Sequence, residues 1–487
     1  MSQPKSLKET YSAELNAYID HEKTALELMH SIGKLLFEKN IELVLFRNHL
    51  IDKSIGEILN LHQYASQVVG KPIQVSDSAR LATEIYNMDI APAKIDIGKL
   101  ANEWKNEGED FNSMTEFIAD KLNHFDQFDS SAIEPRDVVL FGFGRIGRLA
   151  ARELIKQAGK GQQLRLRAIV LRSIDDVTLN KRAALLENDS VHGRFPGTIE
   201  IDCENKHLII NGQRIQIIAS SDPSAIDYTE RGINDALLID NTGAYRDKEA
   251  LSLHLQANGI SKVLLTAPGK GIPNIVYGIN HSNLDIDKDD VFSAASCTTN
   301  AISPILRVIE DTFGIVRGHI ETVHAYTNDQ NLLDNLHKKE RRGRSAAVNM
   351  VITETGAGKA VTKVISSLEN KLTANAVRVP TPNGSLAIMN LELGKTTTLE
   401  EINQKIKTAA LMGNLVNQIH FSVNEELVSN DIIGNDCCAV FDSPATIVSQ
   451  DGKSVVLYTW YDNEFGYTKQ VIRLAKYIAK VRRNIYY

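Results

Sequence analysis

Apolar residues recur at three- and four-residue intervals along the first quarter of the chain. The stretches ALELMHSIGKLLF (25–37), IGEILNLHQYASQVV (55–69) and MTEFIADKLNHF (114–125) show this spacing, which is typical of amphipathic helices. The pattern predicts an all-helical N-terminal segment over residues 1–130. The polar, proline-containing run FDSSAIEPRD (128–137) predicts a linker after it.

From residue 137 onward, short apolar runs alternate with helical patterns. DVVLF (137–141) precedes the turn GFGRIG and the helical run RLAARELIKQAG, and further apolar runs follow as LRLRAIVL (164–171), ALLID (236–240) and KVLLT (262–266). Strands that alternate with helices indicate a doubly wound parallel sheet. We therefore predict an α/β domain over residues 137–296.

The strand pattern changes beyond residue 296. GHIETVHAYT (318–327) and SLAIMNLEL (385–393) are longer and alternate between apolar and polar residues, which is typical of half-buried strands. This pattern predicts an α+β domain over residues 297–460. The last stretch, 461–487, has helical periodicity, and we expect its helix to pack back on the first α/β domain.

Composition narrows the class of protein. The chain has 487 residues, enough for two or three domains, and its formal net charge of −7 argues against general nucleic-acid binding. The N-terminus has no apolar targeting core, and no apolar run approaches 18 residues. Four cysteines are too few for a disulfide framework, and Cys437 and Cys438 are adjacent, so they cannot form a CxxC metal site. We expect a cytoplasmic protein with no membrane, nucleic-acid or metal partner.

The glycine-rich turn has the context of a dinucleotide site. Gly142, Gly144 and Gly147 follow an apolar strand and open a helix, and this arrangement lets a pyrophosphate approach the backbone at the helix N-terminus. We interpret residues 137–296 as a Rossmann cofactor domain. Arg172 and Ser173 stand at the end of the second strand, where an acidic residue would hold the ribose hydroxyls of NAD. NADP is therefore as plausible a cofactor as NAD.

A single thiol lies in the stretch SAASCTTN (293–300). Helical spacing after Cys297 predicts that it lies at a helix start, provided that Pro304 falls in the first turn, and His324 follows on a predicted strand. A helix N-terminus and a nearby histidine both lower the pKa of a thiol, which predicts a nucleophile. The alternatives are a buried structural cysteine with a core histidine, and a cysteine protease, which would not need the dinucleotide turn.

Seven segments together resemble one enzyme family along residues 137–487. They are VLFGFGRIGRLAARELI, DSVHGRF, ASCTTNAISPI, TVHAYTNDQNLLD, TGAGKAVTKVI, RVPTPNGS and WYDNEFGYTKQV. The chain resembles a phosphorylating glyceraldehyde-3-phosphate dehydrogenase, with the first 130 residues as an addition outside the resemblance. The resemblance implies oxidation of glyceraldehyde 3-phosphate to 1,3-bisphosphoglycerate in glycolysis or gluconeogenesis, in a homotetramer.

The resemblance also implies roles for individual residues. Cys297 would attack the aldehyde and His324 would accept its proton, and a hydride would then pass to NAD or NADP to leave a thioester for inorganic phosphate to attack. The implied phosphate ligands are Arg378 and Thr327 for the substrate, and Ser296, Thr298, Thr355 and Gly356 for the attacking phosphate. The implied cofactor contacts are Gly142, Gly144, Arg145, Ile146, Gly147, Arg172, Thr242, Gly243, Thr266, Asn463 and Tyr467. Of these, Asn463 would orient the nicotinamide carboxamide, and Tyr467 would pack beside that ring.

Two departures from the family pattern bear on the cofactor. Arg172 and Ser173 replace the asparagine–aspartate pair of NAD-specific relatives, and Asn335 and Leu336 replace a leucine–proline pair. Both changes favour use of NADP as well as NAD. The basic segment HKKERRGRSAA (337–347) corresponds to the S-shaped loop at the tetramer core, and we prefer that interpretation to a nucleic-acid patch.

Two other functions stay open at this point. One is erythrose-4-phosphate dehydrogenase, in which water rather than phosphate resolves the thioester. The other is a non-catalytic regulatory protein that acts through its N-terminal helical segment.

Overall fold

The computed structural model describes residues 7–125, 134–159 and 161–487. The chain forms two compact units, one of residues 1–134 with 482–487 and the other of residues 135–481. The linker predicted at 128–137 lies largely outside the described residues.

The first unit surrounds a small sheet with helices. Its elements are α1 (Leu7–Lys39), β1 (Glu42–Leu45), β2 (Asn48–His49), α2 (Ile55–Val69), α3 (Val75–Asn87), β3 (Ala93–Asp96), α4 (Ile97–Glu107) and α5 (Met114–Lys121), with a last strand at Asn484–Tyr486. This last strand and β1 flank β3 in parallel, and β2 pairs with β1 in antiparallel fashion. The prediction of an all-helical segment is therefore wrong. Four-residue strands such as ELVL and AKID have an apolar spacing that a helix also accommodates.

One carboxylate organises this small sheet. Phe46 and Arg47 form the turn between β1 and β2 with φ angles of 40° and 65°, which is an uncommon conformation for bulky residues. The Asp96 side chain accepts both of their backbone N–H groups, at 2.8 and 2.9 Å, and also caps the start of α4. The turn, the sheet and the next helix are thus joined at one buried side chain.

The second unit begins with the predicted doubly wound domain. Its elements are β4 (Arg136–Phe141), α6 (Arg145–Lys156), β5 (Leu164–Leu171), α7 (Asp176–Glu187), β6 (Asn188–Asp189), β7 (Gly193–Arg194), β8 (Ile199–Asp202), β9 (His207–Ile210), β10 (Gln213–Ala219), β11 (Ala236–Asp240), α8 (Lys248–Ser252), β12 (Ile260–Leu265) and β13 (Val291–Ser293). The main sheet has the order β13-β12-β11-β4-β5-β10-β9-β8 and is parallel from β13 to β10. The strand order reverses at β4, where ligands bind in such sheets.

A second large sheet carries the rest of the unit. The elements are α9 (Cys297–Phe313), β14 (Ile315–Ala325), β15 (Val351–Thr353), α10 (Ala357–Val364), β16 (Leu372–Val379), β17 (Ser385–Leu393), α11 (Leu399–Leu411), β18 (Ile419–Ser422), β19 (Ala439–Asp442), β20 (Ile447–Val448), β21 (Ser454–Tyr461) and α12 (Phe465–Ile478). The strand order is β15-β16-β14-β17-β21-β19-β18, with β20 beside β21. Apolar residues of α9 and α11, among them Ile305 and Ile402, form a continuous core with Met389 and Leu457 of the sheet.

The C-terminal region differs from its prediction in one respect. Helix α12 packs against α6 of the doubly wound domain, and Lys469 of α12 forms a buried ion pair with Glu153 of α6 at 2.5 Å. However, the strand Asn484–Tyr486, which we number β22, belongs to the sheet of the first unit. The stretch 461–487 is therefore divided between the two units, rather than being one helix on one domain.

Candidate active site

Cys297 is the first residue of helix α9, as the sequence predicts. Ser296 caps the helix, because its Oγ accepts the N–H of Thr299 at 3.0 Å. The Asn300 side chain donates to the carbonyls of Ala294 and Ser296, each at 2.9 Å, which fixes the incoming loop against the first turn. Ala295 has a φ of 55°. The thiol is thus held by a tight, fully bonded turn at the positive end of a helix dipole.

The condition placed on Pro304 is not met. Pro304 lies inside α9, beyond its first turn, and it has no N–H to donate to the carbonyl of Asn300 four residues before it. The Cys438 thiol donates to that carbonyl instead, at 3.1 Å. A buried thiol therefore compensates for the proline, a contact that sequence spacing could not show.

His324 faces the thiol from the neighbouring sheet. Its Nε2 lies 3.6 Å from the Sγ of Cys297, and Arg378 lies beside it because His324 and Arg378 are paired in the parallel strands β14 and β16. The Ala325 carbonyl lies 2.7 Å from His324 Nδ1 and 2.8 Å from Arg378 Nη1. A carbonyl oxygen can accept from both nitrogens. Arg378 Nη1 also lies 2.8 Å from Nδ1, so Nδ1 is held by its neighbours, and Nε2 is the nitrogen that faces the thiol.

Burial dominates the ionisation of this pair. Burial raises the pKa of the Cys297 thiol, an effect that the Arg378 guanidinium partly offsets. Burial, and then the charge of Arg378, lowers the pKa of His324 to about 3. The expectation that histidine and helix lower the thiol pKa is therefore wrong for this structure. The resting pair is a neutral thiol beside a neutral imidazole.

Arg378 gives a testable pH dependence. In Arg378→Gln we expect the pKa of Cys297 to rise further, because a cation that stabilises the thiolate is lost. Since the thiolate is the reactive form, alkylation by iodoacetamide should be slower at pH 8 and its profile should move to higher pH. Arg317→Gln is the control, since Arg317 is an exposed arginine on β14. An unchanged or lower midpoint in Arg378→Gln would contradict this assignment.

The structure gives each hydroxyl implied by the resemblance a defined local setting. Thr298 is buried, with its Oγ1 3.1 Å from the Tyr461 hydroxyl. Thr355 precedes α10, where its Oγ1 accepts the Ala357 N–H at 3.2 Å, and Gly356 caps that helix. Thr327 follows β14 and donates to Asp329. Arg378 is half-buried, and no carboxylate among the described residues forms an ion pair with it, so this region is suited to anions.

The glycine turn fits a pyrophosphate group. Gly142 has a φ of 94°, and a Cβ on Gly147 would lie 2.5 Å from the Gly142 carbonyl oxygen, so both positions require glycine. A Cβ on Gly144 would meet nothing within 4 Å, which leaves the backbone open to a ligand. The N–H groups of Arg145 and Ile146 lie in the first turn of α6, where no intrahelical acceptor exists.

A cavity of about 690 Å³ continues from this turn. Its lining includes Gly142, Gly144, Arg172, Ser173 and Thr242 from the sequence prediction, together with Arg182 and Tyr245, which sequence reasoning missed. Arg182 is on α7, and only its helical register could have indicated that it faces the cavity. Gly243 follows Thr242 directly.

Asp240 supports the turns that border this cavity. Its carboxylate accepts from Thr242, and its backbone carbonyl accepts from Thr266. A buried aspartate thus fixes both predicted threonines at the carboxyl ends of β11 and β12.

Asn463 lies between β21 and α12, close in the structure to His324. Ser385 connects them: its Oγ donates to Asn463 Oδ1 at 2.8 Å and accepts the N–H of Ala325 at 3.1 Å. Sequence reasoning missed Ser385. Tyr467 is buried, and its hydroxyl donates to the Ala295 carbonyl at 2.9 Å, so it supports the loop before Cys297.

The basic loop uses several of its charges internally. Arg342 is buried and pairs with Asp329, and Arg344 pairs with Asp334 at 3.0 Å. These ion pairs support the loop interpretation over a nucleic-acid patch.

None of the helices in the described ranges is both long and apolar enough to cross a membrane.

Comparison with known proteins identifies the family. The family model described as "Glyceraldehyde 3-phosphate dehydrogenase, NAD binding domain" matches residues 136–248, and its C-terminal counterpart matches 296–463. A "Glyceraldehyde-3-phosphate dehydrogenase-like protein" of Pseudomonas aeruginosa is 49% identical over 92% of this chain and 98% of its own length. Glyceraldehyde-3-phosphate dehydrogenases of Clostridium pasteurianum and Bacillus subtilis are 39% and 40% identical over 71% and 70% of this chain, and 99% and 97% of their own lengths. The chain therefore belongs to the glyceraldehyde-3-phosphate dehydrogenase family and is an NAD-dependent oxidoreductase with a long N-terminal addition.

Proposed function

We propose that this chain catalyses the phosphorylating oxidation of glyceraldehyde 3-phosphate to 1,3-bisphosphoglycerate. The observation that carries the proposal is the row of Cys297, His324 and Arg378, in which Sγ lies 3.6 Å from Nε2 and the guanidinium lies beside Nδ1. A nucleophile, a base and an anion-binding group are thereby aligned in the order that a phosphorylated aldehyde requires.

The residues of the chain have distinct tasks in this reaction. Sγ of Cys297 bonds to the aldehyde carbon while Nε2 of His324 takes the thiol proton, which gives a thiohemiacetal. A nicotinamide cofactor, which the glycine turn and Asn463 would hold, would supply the acceptor for the hydride that the thiohemiacetal oxyanion must lose to become a thioester, while His324 keeps the thiol proton. Phosphate then attacks the thioester carbon, and Cys297 leaves as the thiolate, yielding the acyl phosphate. The imidazolium of His324 donates to the oxyanion in both addition steps.

Arg378 connects substrate binding with basicity. Its positive charge is one cause of the low pKa of His324, and a substrate phosphate bound at the guanidinium would offset that charge. Binding of the correct substrate therefore makes the imidazole a better base at the moment when the thiol must lose its proton.

Phosphate dependence tests the reaction. We expect the purified chain to reduce NAD with glyceraldehyde 3-phosphate only when inorganic phosphate or arsenate is present, because the family resemblance assigns Ser296, Thr298, Thr355 and Gly356 to an attacking phosphate. Turnover without phosphate, with erythrose 4-phosphate as the better substrate, would favour the water-resolved alternative. No turnover with either aldehyde would favour a regulatory role for the first unit.

We further propose a homotetramer. The loop after β14 exposes large apolar side chains, with Leu332, Leu333 and Leu336 each more than 70% exposed. Exposed apolar patches of this kind mark interaction surfaces.

Localisation in the cytoplasm remains a prediction.

The cavity beside the glycine turn supports use of NADP as well as NAD. Arg172 and Ser173 lie at the end of β5, and Arg182 lines the same cavity from α7. Two guanidinium groups can hold the 2′-phosphate of NADP bidentately. Positions 172 and 173, directly after β5, carry no acidic side chain, and the first carboxylates, Asp175 and Asp176, follow at the start of α7.

Substitution of both arginines tests this preference. We expect Arg172→Ala/Arg182→Ala to lower kcat/KM for NADP by at least about 100-fold, since the two charged hydrogen bonds together contribute about 3–6 kcal/mol, and to leave NAD within about threefold. The control is Arg214→Ala, an exposed arginine on β10. A wild-type preference for NAD above about 100-fold, or equal losses for both cofactors, would contradict the proposal.

A further inference from the structure

A buried carboxylate fixes the turn that presents Asn463. The Asp462 side chain has no exposed surface. Its Oδ1 accepts the N–H groups of Glu464 and Phe465 at 2.9 and 2.8 Å, and its Oδ2 accepts that of Gly434 at 2.8 Å. The Asp462 carboxylate therefore fixes the backbone directly after Asn463 and joins it to the loop at Gly434.

A histidine completes the coordination of that carboxylate. His192 is 5% exposed at its side chain, and its Nε2 lies 2.9 Å from Asp462 Oδ2. Asn383 donates to the other oxygen, Oδ1, at 2.8 Å. His192 belongs to the short β6–β7 hairpin after α7, far from Asn463 in sequence, and it reaches the turn through Asp462, through Glu464 at 3.8 Å from Nδ1, and through its ring contact with Phe465.

The other ring nitrogen of His192 faces the glycine turn. Nδ1 lies 3.5 Å from Asp189 and 3.4 Å from Nη2 of Arg145. Arg145 is the residue directly after Gly144, and its guanidinium bridges Asp189 at 2.8 Å and Glu464 at 2.7 Å. Glu464 in turn is the residue directly after Asn463. One imidazole thus lies between the turn that fits a pyrophosphate and the turn that carries Asn463.

We propose that His192 is a positioning residue that sets the distance and orientation of Asn463 relative to the glycine turn, and hence the placement of the nicotinamide ring over Cys297. The inference rests on the proposed use of NAD or NADP. Ser385 already holds Oδ1 of Asn463, which leaves the amide Nδ2 as the donor toward a ligand. A small rotation of the turn would misdirect that donor without disturbing the pyrophosphate contacts.

ADP-ribose separates positioning from general stability. It is identical to NAD except that it lacks the nicotinamide, so it needs the cavity and the glycine turn but not Asn463. In His192→Leu, we expect calorimetry to show a Kd for NAD raised about tenfold, while the Kd for ADP-ribose changes less than about threefold. His192→Gln, whose amide can still reach Asp462, should recover part of the loss.

Hydride transfer provides a second readout. A nicotinamide whose carboxamide is no longer fixed can present either ring face to the substrate. With substrate deuterated at the aldehyde carbon, we expect His192→Leu to yield reduced cofactor labelled on both faces, whereas the wild type labels one. Loss of structure alone would lower the rate and leave the labelling unchanged.

The control is Lys262→Met. It removes the ion pair between Lys262, near the start of β12, and Asp290 at 2.7 Å, and both residues lie outside the turn that carries Asn463. We therefore expect a lower Tm with an unchanged ratio of the two dissociation constants. The inference would be overturned if both His192 variants bound NAD and ADP-ribose with equally reduced affinity, or if neither variant lost affinity for NAD. Either result would leave the proposed function intact. A wild-type chain that binds neither ligand would overturn the proposed function and this inference with it.

Discussion

Cys297→Ser should reduce dehydrogenase turnover by on the order of 10³-fold or more while the chain keeps its fold. The serine hydroxyl is far less acidic than a thiol, and the neutral imidazole of His324 would have to remove its proton unaided. Serine is close to cysteine in volume and polarity, so the turn built by Ser296 and Asn300 should persist. Turnover is measured with saturating aldehyde, phosphate and NAD.

Cys203→Ser is the matched control for this substitution. Cys203 lies on the partly exposed turn after β8, remote from α9 in sequence, and its loss should leave kcat within about twofold. Circular dichroism spectra and Tm values like those of the wild type, in both variants, would exclude unfolding as the cause of the lost turnover. If Cys297→Ser kept more than about a tenth of the wild-type rate, covalent catalysis by this thiol would be refuted.

His324→Asn should lower kcat by about 10²–10⁴-fold, the usual contribution of a positioned acid–base group. Asparagine can still bond the Ala325 carbonyl, so strand β14 should keep its pairing with β16. The variant cannot accept the thiol proton at the position of Nε2, and it cannot donate as a cation to the oxyanion. The loss should therefore appear in kcat rather than in KM for the aldehyde.

The double variant tests whether the two residues act as a unit. Cys297→Ser/His324→Asn should be no slower than the slower single variant by more than a few-fold, because removing either member already disables the pair. Multiplicative losses would mean that His324 acts independently of the thiol. Alkylation of Cys297 in His324→Asn offers a separate check. An imidazole with a pKa near 3 does not hold the resting thiol as an ion pair, so its removal should leave the alkylation rate nearly unchanged.

The parts of the site that the sequence predicted are those built by adjacent residues. The strand, glycine turn and helix at 137–159 are local, as is the helix start at Cys297, so spacing and residue type were sufficient. Ser385, Arg182 and His192 were missed because each reaches the site from a distant segment. The direction of the Cys297 pKa shift was mispredicted for a related reason: burial depends on the whole fold, whereas the helix and the histidine are visible in the sequence.

The first unit shows the limit of periodicity as evidence. ELVL and AKID become strands because they pair with each other and because AKID also pairs with the distant segment Asn484–Tyr486. A four-residue strand is stabilised mainly by its pairing partners, so its local sequence carries no pattern that distinguishes it from a helix. Its partner lies almost 400 residues further along the chain, beyond any window that a periodicity argument uses.

That pairing has a consequence for how the protein is made. A sheet that recruits residues 484–486 cannot be completed on the ribosome until those residues have emerged, long after β1 and β3. Until then, the edge of β3 exposes unpaired backbone groups, which are a template for association with other chains. In the sequence, residues 135–481 separate the first 134 residues of this unit from its strand at 484–486. Translation order therefore delays completion of the unit until that strand has been made. Chaperone demand should accordingly fall on the N-terminal unit during synthesis.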